Sequence, residues 1–140
     1  MKSILTVLVF MICCNAQAQS FTFTFNPKKF IQENRLTEGS KKDVIFNLYD
    51  INGKETKYNT IDTTSELLRK AKIYSFKGKS EDGTKLITLT IASGKLSGAY
   101  LENAKSYFIE PVDKTCKKKY KIYIKPDGDY QVGQSNDFIK

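Results

Sequence analysis

The densest set of chemically active side chains is the stretch KTCKKKYKIYIK, residues 114–125, which carries Lys114, Lys117, Lys118, Lys119, Lys121 and Lys125 with Cys116 and no acid. Ammonium groups at this density draw in carboxylates and phosphates from a distance. In the alternating part, Lys121, Tyr123 and Lys125 share one strand face, opposite Tyr120, Ile122 and Ile124. Two readings follow. The lysines dock an acidic surface, or they form a solvated face that protects an edge strand from aggregation. Lysine without arginine gives little planar, bidentate phosphate recognition, so nucleic acid is not an expected partner.

Catalytic chemistry is poorly supplied. The chain has no histidine, which removes the commonest general base, the usual partner of a serine or cysteine nucleophile and the usual zinc ligand. No H-E-x-x-H, G-x-S-x-G or phosphate-loop motif occurs. Cys116 has no neighbouring base to activate it. Carboxylate-pair catalysis stays open, but the acids fall mostly in turn sequences (Glu81, Asp82, Asp127, Asp129) and read as solvated turn-formers. The expectation is a protein that is not an enzyme and needs no cofactor.

The elements that position these residues begin after an export signal. Lys2 gives a positive start, Ser3 to Cys14 runs apolar, and Ala16-Gln17-Ala18 is an A-x-A cleavage site. The apolar stretch is too short for a spanning helix of about 20 residues. Cleavage near Ala18 leaves about 120 residues, ordinary for one domain and enough to bury a core. The expected organisation is a cleavable signal over 1–18 and one domain over 19–140, secreted or periplasmic, without a transmembrane segment and monomeric. Of three cysteines, Cys13 and Cys14 leave with the signal, so no internal disulfide can form. Lone Cys116 is a free thiol, an intermolecular bridge or a metal ligand. The net charge of the whole chain is +8, which favours anionic partners.

Beyond the signal, the pattern has period two. Phe21, Phe23 and Phe25 alternate with Thr22 and Thr24. Residues 28–42 read as an irregular or weakly helical connection. Val44 to Asp50 and Lys54 to Thr60 form a hairpin around Asn52-Gly53, a pair suited to a tight primed turn. Thr63-x-x-Glu66 reads as a capping box opening a helix over 64–72, with Leu67, Leu68 and Ala71 on an apolar face that must dock on the sheet. A meander follows: strands Ile73–Lys79, Lys85–Ala92, Leu96–Leu101, Tyr107–Ile109 and one marked by Tyr120, Ile122 and Ile124, with a short last strand at Tyr130–Val132. Phe21, Phe23, Phe25, Tyr74, Phe76, Tyr107 and Phe108 are assigned to the core. The fold class is therefore α+β: mainly an antiparallel β-meander of six to eight short strands with one short helix packed on the sheet.

Residues 72–112, KIYSFKGKSEDGTKLITLTIASGKLSGAYLENAKSYFIEPV, carry a family likeness. Ser75-Phe76-Lys77-Gly78, the strand Ile87 to Ile91, Leu96-Ser97-Gly98 and Tyr107-Phe108-Ile109-Glu110-Pro111 stand in the order of an "sF.G", alternating-strand, "l.G.i", "yfIeP" pattern. This resembles the N-terminal prodomain of secreted reprolysin-like zinc metalloproteases of Bacteroidetes. With the upstream hairpin and helix, residues 43–71, which match the expected order more loosely, the likeness covers about half of the domain, on residues that support a fold, and the catalytic domain with its zinc helix is not in this chain. What the resemblance implies is a prodomain-like binding module that inhibits a secreted metalloprotease or assists its folding in trans. It also implies a possible zinc-ligand role for Cys116 in the partner's active site, although Lys-Thr-Cys-Lys-Lys matches no cysteine-switch motif. The alternative is a generic secreted or periplasmic β-domain that binds an anionic surface or a partner protein through the lysine-rich face.

Overall fold

The computed structural model describes residues 19–39 and 42–124. The signal segment, Lys125, the turn at Pro126-Asp127-Gly128 and the expected strand at Tyr130–Val132 lie outside the described residues. Eight strands form one antiparallel sheet: β1 Ser20–Thr24, β2 Asp43–Tyr49, β3 Glu55–Asp62, β4 Tyr74–Ser80, β5 Leu86–Ala92, β6 Lys95–Glu102, β7 Lys105–Pro111 and β8 Lys119–Ile124. Their order is β1-β8-β7-β6-β5-β4-β3-β2. Seven strands thus follow one another as a meander, and β1 closes on the last of them, with Phe21 opposite Ile122 and Phe23 opposite Tyr120.

Each strand buries alternate residues because successive side chains point to opposite faces. In β5, Ile87, Leu89 and Ile91 are buried, and Thr88 and Thr90 face outward. In β2 the buried set is Val44, Phe46 and Leu48. The sheet is curled into an open half-barrel, so the two outer strands approach through their side chains. Phe21 and Phe23 of β1 stand 5.5 and 5.9 Å from Tyr49 of β2, ring centre to ring centre. Each large apolar side chain enclosed in this way contributes about 1.5–3 kcal/mol.

The helical parts correct the sequence reading. Residues 28–42, expected to be an irregular or weakly helical connection, take the helical alternative: α1, Pro27–Glu33, and a 3-10 turn at Leu36–Glu38. The start signal is local: the Asn26 side chain accepts from the Lys29 N–H, and Pro27 opens the helix, where its missing N–H costs nothing. It is α1 that packs on the sheet. Phe30 stacks on Phe46 at 4.2 Å and meets Phe76 edge-on at 6.4 Å, filling one end of the half-barrel.

The helix expected over 64–72 is the shorter α2, Glu66–Lys70. Its cap is Ser65, whose hydroxyl accepts from the Leu68 N–H, rather than the predicted Thr63. No residue of α2 is buried; of the expected apolar face only Leu68 is half-buried, while Leu67 is 77% exposed and Ala71 is exposed. The helix is tethered by polar contacts instead: Arg69 pairs with Asp62 and donates to the Leu36 carbonyl.

Three further corrections concern turns and faces. The Asn52-Gly53 hairpin is a type I turn, with the Gly53 N–H donating to Asp50 O at 3.0 Å and only Gly53 at positive φ; three-residue loops of this kind place glycine in the left-handed position. Primed two-residue turns occur at Ser93-Gly94 and Asn103-Ala104, where both residues have positive φ. Phe108 is not a core residue. Its neighbours in sequence, Tyr107 and Ile109, face inward, which turns it outward against Tyr123, 5.7 Å away.

Two glycines are required by close strand approach. A Cβ on Gly78 would lie 2.0 Å from the Asn59 carbonyl oxygen, and one on Gly98 would lie 2.2 Å from that of Thr88.

Candidate binding surface

The strand directions gather α1, the 3-10 turn, α2, the β5–β6 turn and the β7–β8 loop at one end of the half-barrel. Most of the basic stretch sits here. Lys114, Lys117 and Lys118 are exposed in the β7–β8 loop, and Lys119 is exposed at the start of β8.

The loop is built by Asp113. Its Oδ1 accepts from the Thr115 N–H and hydroxyl at 2.8 and 2.7 Å and from the Cys116 N–H at 2.7 Å. The Thr115 side-chain bond, then the two backbone bonds, hold this carboxyl below the usual carboxylate range. Carbonyls of the lysines themselves complete the anchoring. Tyr120 donates its hydroxyl to Lys117 O at 2.6 Å, Phe25 its N–H to Lys118 O at 2.8 Å, and Val112 its N–H to Lys119 O at 3.0 Å. The backbone is therefore fixed while the ammonium groups project, so little backbone ordering is left to oppose binding.

Cys116 is half-buried within this loop. Its Sγ accepts from the Lys119 N–H at 3.2 Å. Among the described residues, no three Asp, Glu, Cys or His side chains come together as a metal-binding group.

The structure spreads the predicted basic patch over two sides of one end. Lys119, Lys121 and Tyr123 share the outer face of β8, and Lys121 lines a shallow hollow with Lys114, Lys95, Asp113 and Glu110. The Lys121 ammonium sits 5.0 Å from the centre of the Tyr123 ring, and the Tyr123 hydroxyl donates to Glu110 on β7. Lys117 instead lies against Gly94 at the β5–β6 turn. Lys125 lies outside the described residues. The edge-guarding explanation is overturned, because β8 is flanked by β1 and β7 and is not an edge.

Lys95 was not singled out by sequence. It joins the patch through space, its ammonium donating to the Lys114 carbonyl. Nothing local to Lys95 signals this, since 19 positions separate the two residues.

At the opposite end, Asp82 is an exposed turn acid as expected, while Asp127 and Asp129 lie outside the described residues. Asp82 accepts from the Ser80 hydroxyl and from the Thr84 N–H and hydroxyl, and these bonds hold its carboxyl well below the usual range.

No described helix is long and apolar enough to cross a membrane. No family model matches the chain, and neither a curated protein nor a solved structure is similar to it.

Proposed function

We infer that this chain is an exported, non-catalytic binding module that docks its lysine-bearing end on an acidic protein surface, in the manner of a metalloprotease prodomain supplied in trans. The observation that carries this reading is the β7–β8 loop. Four exposed lysines stand on a backbone whose carbonyls are tied to Tyr120, Phe25 and Val112. A fixed cationic surface speeds encounter with an acidic partner and selects against basic ones.

The resemblance to reprolysin-type prodomains supplies the candidate partner, a secreted zinc metalloprotease. The residues that carry it are supports of the sheet: Phe76 is fully buried, and Gly78 and Gly98 stand where strands approach too closely for a side chain. In this reading the Cys116 thiol reaches the partner's zinc only by giving up its bond from the Lys119 N–H.

The test uses the purified protein as bait in the exported protein fraction of its own organism, beside the triple variant K114E/K118E/K119E. Salt-sensitive capture of an acidic protein that the variant loses is the expected result, and a zinc metalloprotease as that protein secures the prodomain reading. Capture that is indifferent to both salt and charge reversal overturns it. Inhibition of a captured protease that survives Cys116→Ser removes the zinc-ligand role alone.

A further inference from the structure

A groove of about 570 Å³ opens at the same end of the half-barrel, between α1, the start of β4 and the β5–β6 turn. Its walls include Ile31 and Tyr74, with Lys28 from α1, Lys72 from the loop before β4, and Lys117 from the β7–β8 loop beside Gly94. The surface is almost wholly apolar, and no aspartate or glutamate is among the described residues lining it. Lysines produce such a wall by laying their methylene stems along it and leaving the ammonium at the rim.

Three separate segments thus each bring one cation to the border of one apolar hollow. Lys72 reaches it at a conformational cost. It follows α2 with φ 58°, and the turn is closed by bonds from the Lys72 N–H to Arg69 O and from the Ile73 N–H to Leu68 O. This is the left-handed position of a Schellman turn, which glycine fills most often.

The two properties of the groove demand different parts of one ligand. Exposed ammonium groups in water add little affinity singly, but they set the sign of charge that is accepted. Apolar contact supplies the binding energy. The volume lies in the range of about 300–1,000 Å³ that small-molecule sites occupy. The geometry points to a single-chain amphiphile with an anionic head, namely a free fatty-acid carboxylate, with its chain against Ile31 and the methylene stems of the lysines, over the buried Tyr74, and its carboxylate among Lys28, Lys72 and Lys117. This site shares only Lys117 with the protein-docking loop. The K114E/K118E/K119E variant therefore leaves it intact, and either proposal can fail alone.

Titration calorimetry with sodium dodecanoate below its micellar concentration tests the site, with dodecyltrimethylammonium and phosphatidylglycerol vesicles as companions. One dodecanoate binds per chain, and dodecyltrimethylammonium does not. K28E/K72E weakens dodecanoate binding by about tenfold or more, and Gln32→Trp, which puts bulk into the groove without changing charge, abolishes it. All three positions are exposed, and circular dichroism confirms that the variants remain folded. Equal affinity for the cationic amphiphile overturns the proposal, as does affinity unchanged in K28E/K72E. Binding to the vesicles without binding to dodecanoate overturns it in favour of a membrane-surface role.

Discussion

Arg69 and Asp62 form a 2.9 Å ion pair in which the Asp62 side chain is wholly enclosed and that of Arg69 is only 10% exposed. The pair joins α2 to the end of β3, and the second arm of the guanidinium reaches Leu36 in the 3-10 turn. Removing one member strands the other charge in a buried site. Arg69→Met is expected to destabilise the protein by about 3–4 kcal/mol in urea unfolding.

The same pair sets a dependence on acidity. Burial pushes the Asp62 carboxyl upward, but bonds from Thr64 and from Arg69 outweigh it and leave the group below its ordinary value of 3.8. A carboxylate with a lowered folded value stabilises the fold above its unfolded value and loses that contribution as pH falls through the folded one. The stability gap between wild type and Asp62→Asn should therefore be constant near neutrality and narrow below about pH 4. A gap that widens on acidification contradicts the assignment.

Three buried tyrosines should respond differently to loss of the hydroxyl. Tyr100 accepts from the Ile51 N–H at 2.9 Å, and Tyr120 accepts from the Leu96 N–H while donating to Lys117 O. Tyr58 is fully buried, and its hydroxyl has no hydrogen-bond partner among the described residues. Burial pushes its ionisation far above the usual value, so it stays neutral. Tyr58→Phe is expected to be neutral or to stabilise by about 1 kcal/mol, whereas Tyr100→Phe and Tyr120→Phe each cost about 1–2 kcal/mol. Denaturation midpoints compare the three directly.

Lys72→Gly relieves a left-handed residue and should stabilise the protein by about 1 kcal/mol. It should also weaken dodecanoate binding, because one of the three rim cations is gone. Stability gained together with affinity retained would separate Lys72 from the groove.

Gly78→Ala forces a methyl group to within 2.0 Å of the Asn59 carbonyl and 2.6 Å of the Thr60 Cα. Neither atom is the tip of a flexible side chain, so the strands must part. A loss of about 3 kcal/mol is expected, at the upper end of overpacking costs. The exposed control Gly83→Ala meets no atom within 4 Å but sits at φ 75°, so its smaller loss of about 1 kcal/mol reports backbone strain alone.

How far the sequence was legible follows from the range of the interactions. The strand β5 was readable because a period of two needs only the residues of one strand, and Ile87, Leu89 and Ile91 supply it. Helix α1 is only half legible: Asn26 and Pro27 signal its start, but residues 28–42 are charged and show no clear apolar period to fix its length. Phe108 is ambiguous by hydrophobicity alone; strand alternation between inward Tyr107 and Ile109 places it outward. The position of β8 inside the sheet could not be read locally, since it depends on β1 pairing across nearly the whole domain. The basic stretch itself is visible in the sequence, but the meeting of Lys95 and Lys114 with Lys121 is not. The groove was out of reach for the same reason: Lys28, Lys72 and Lys117 meet only after the chain has folded.

Ser20 lies opposite Tyr123, and that single pairing sets a timetable. A chain made from its N-terminus presents Phe21 and Phe23 almost at once, yet their partners Ile122 and Tyr120 are among the last of the described residues to be synthesised. Until then the first strand has no ladder, and its phenylalanines remain available to any other unpaired strand. Completion of the sheet is thus a late, non-local and slow event, which leaves β1 unpaired while the chain is still being made and exposes that strand to aggregation for the same interval.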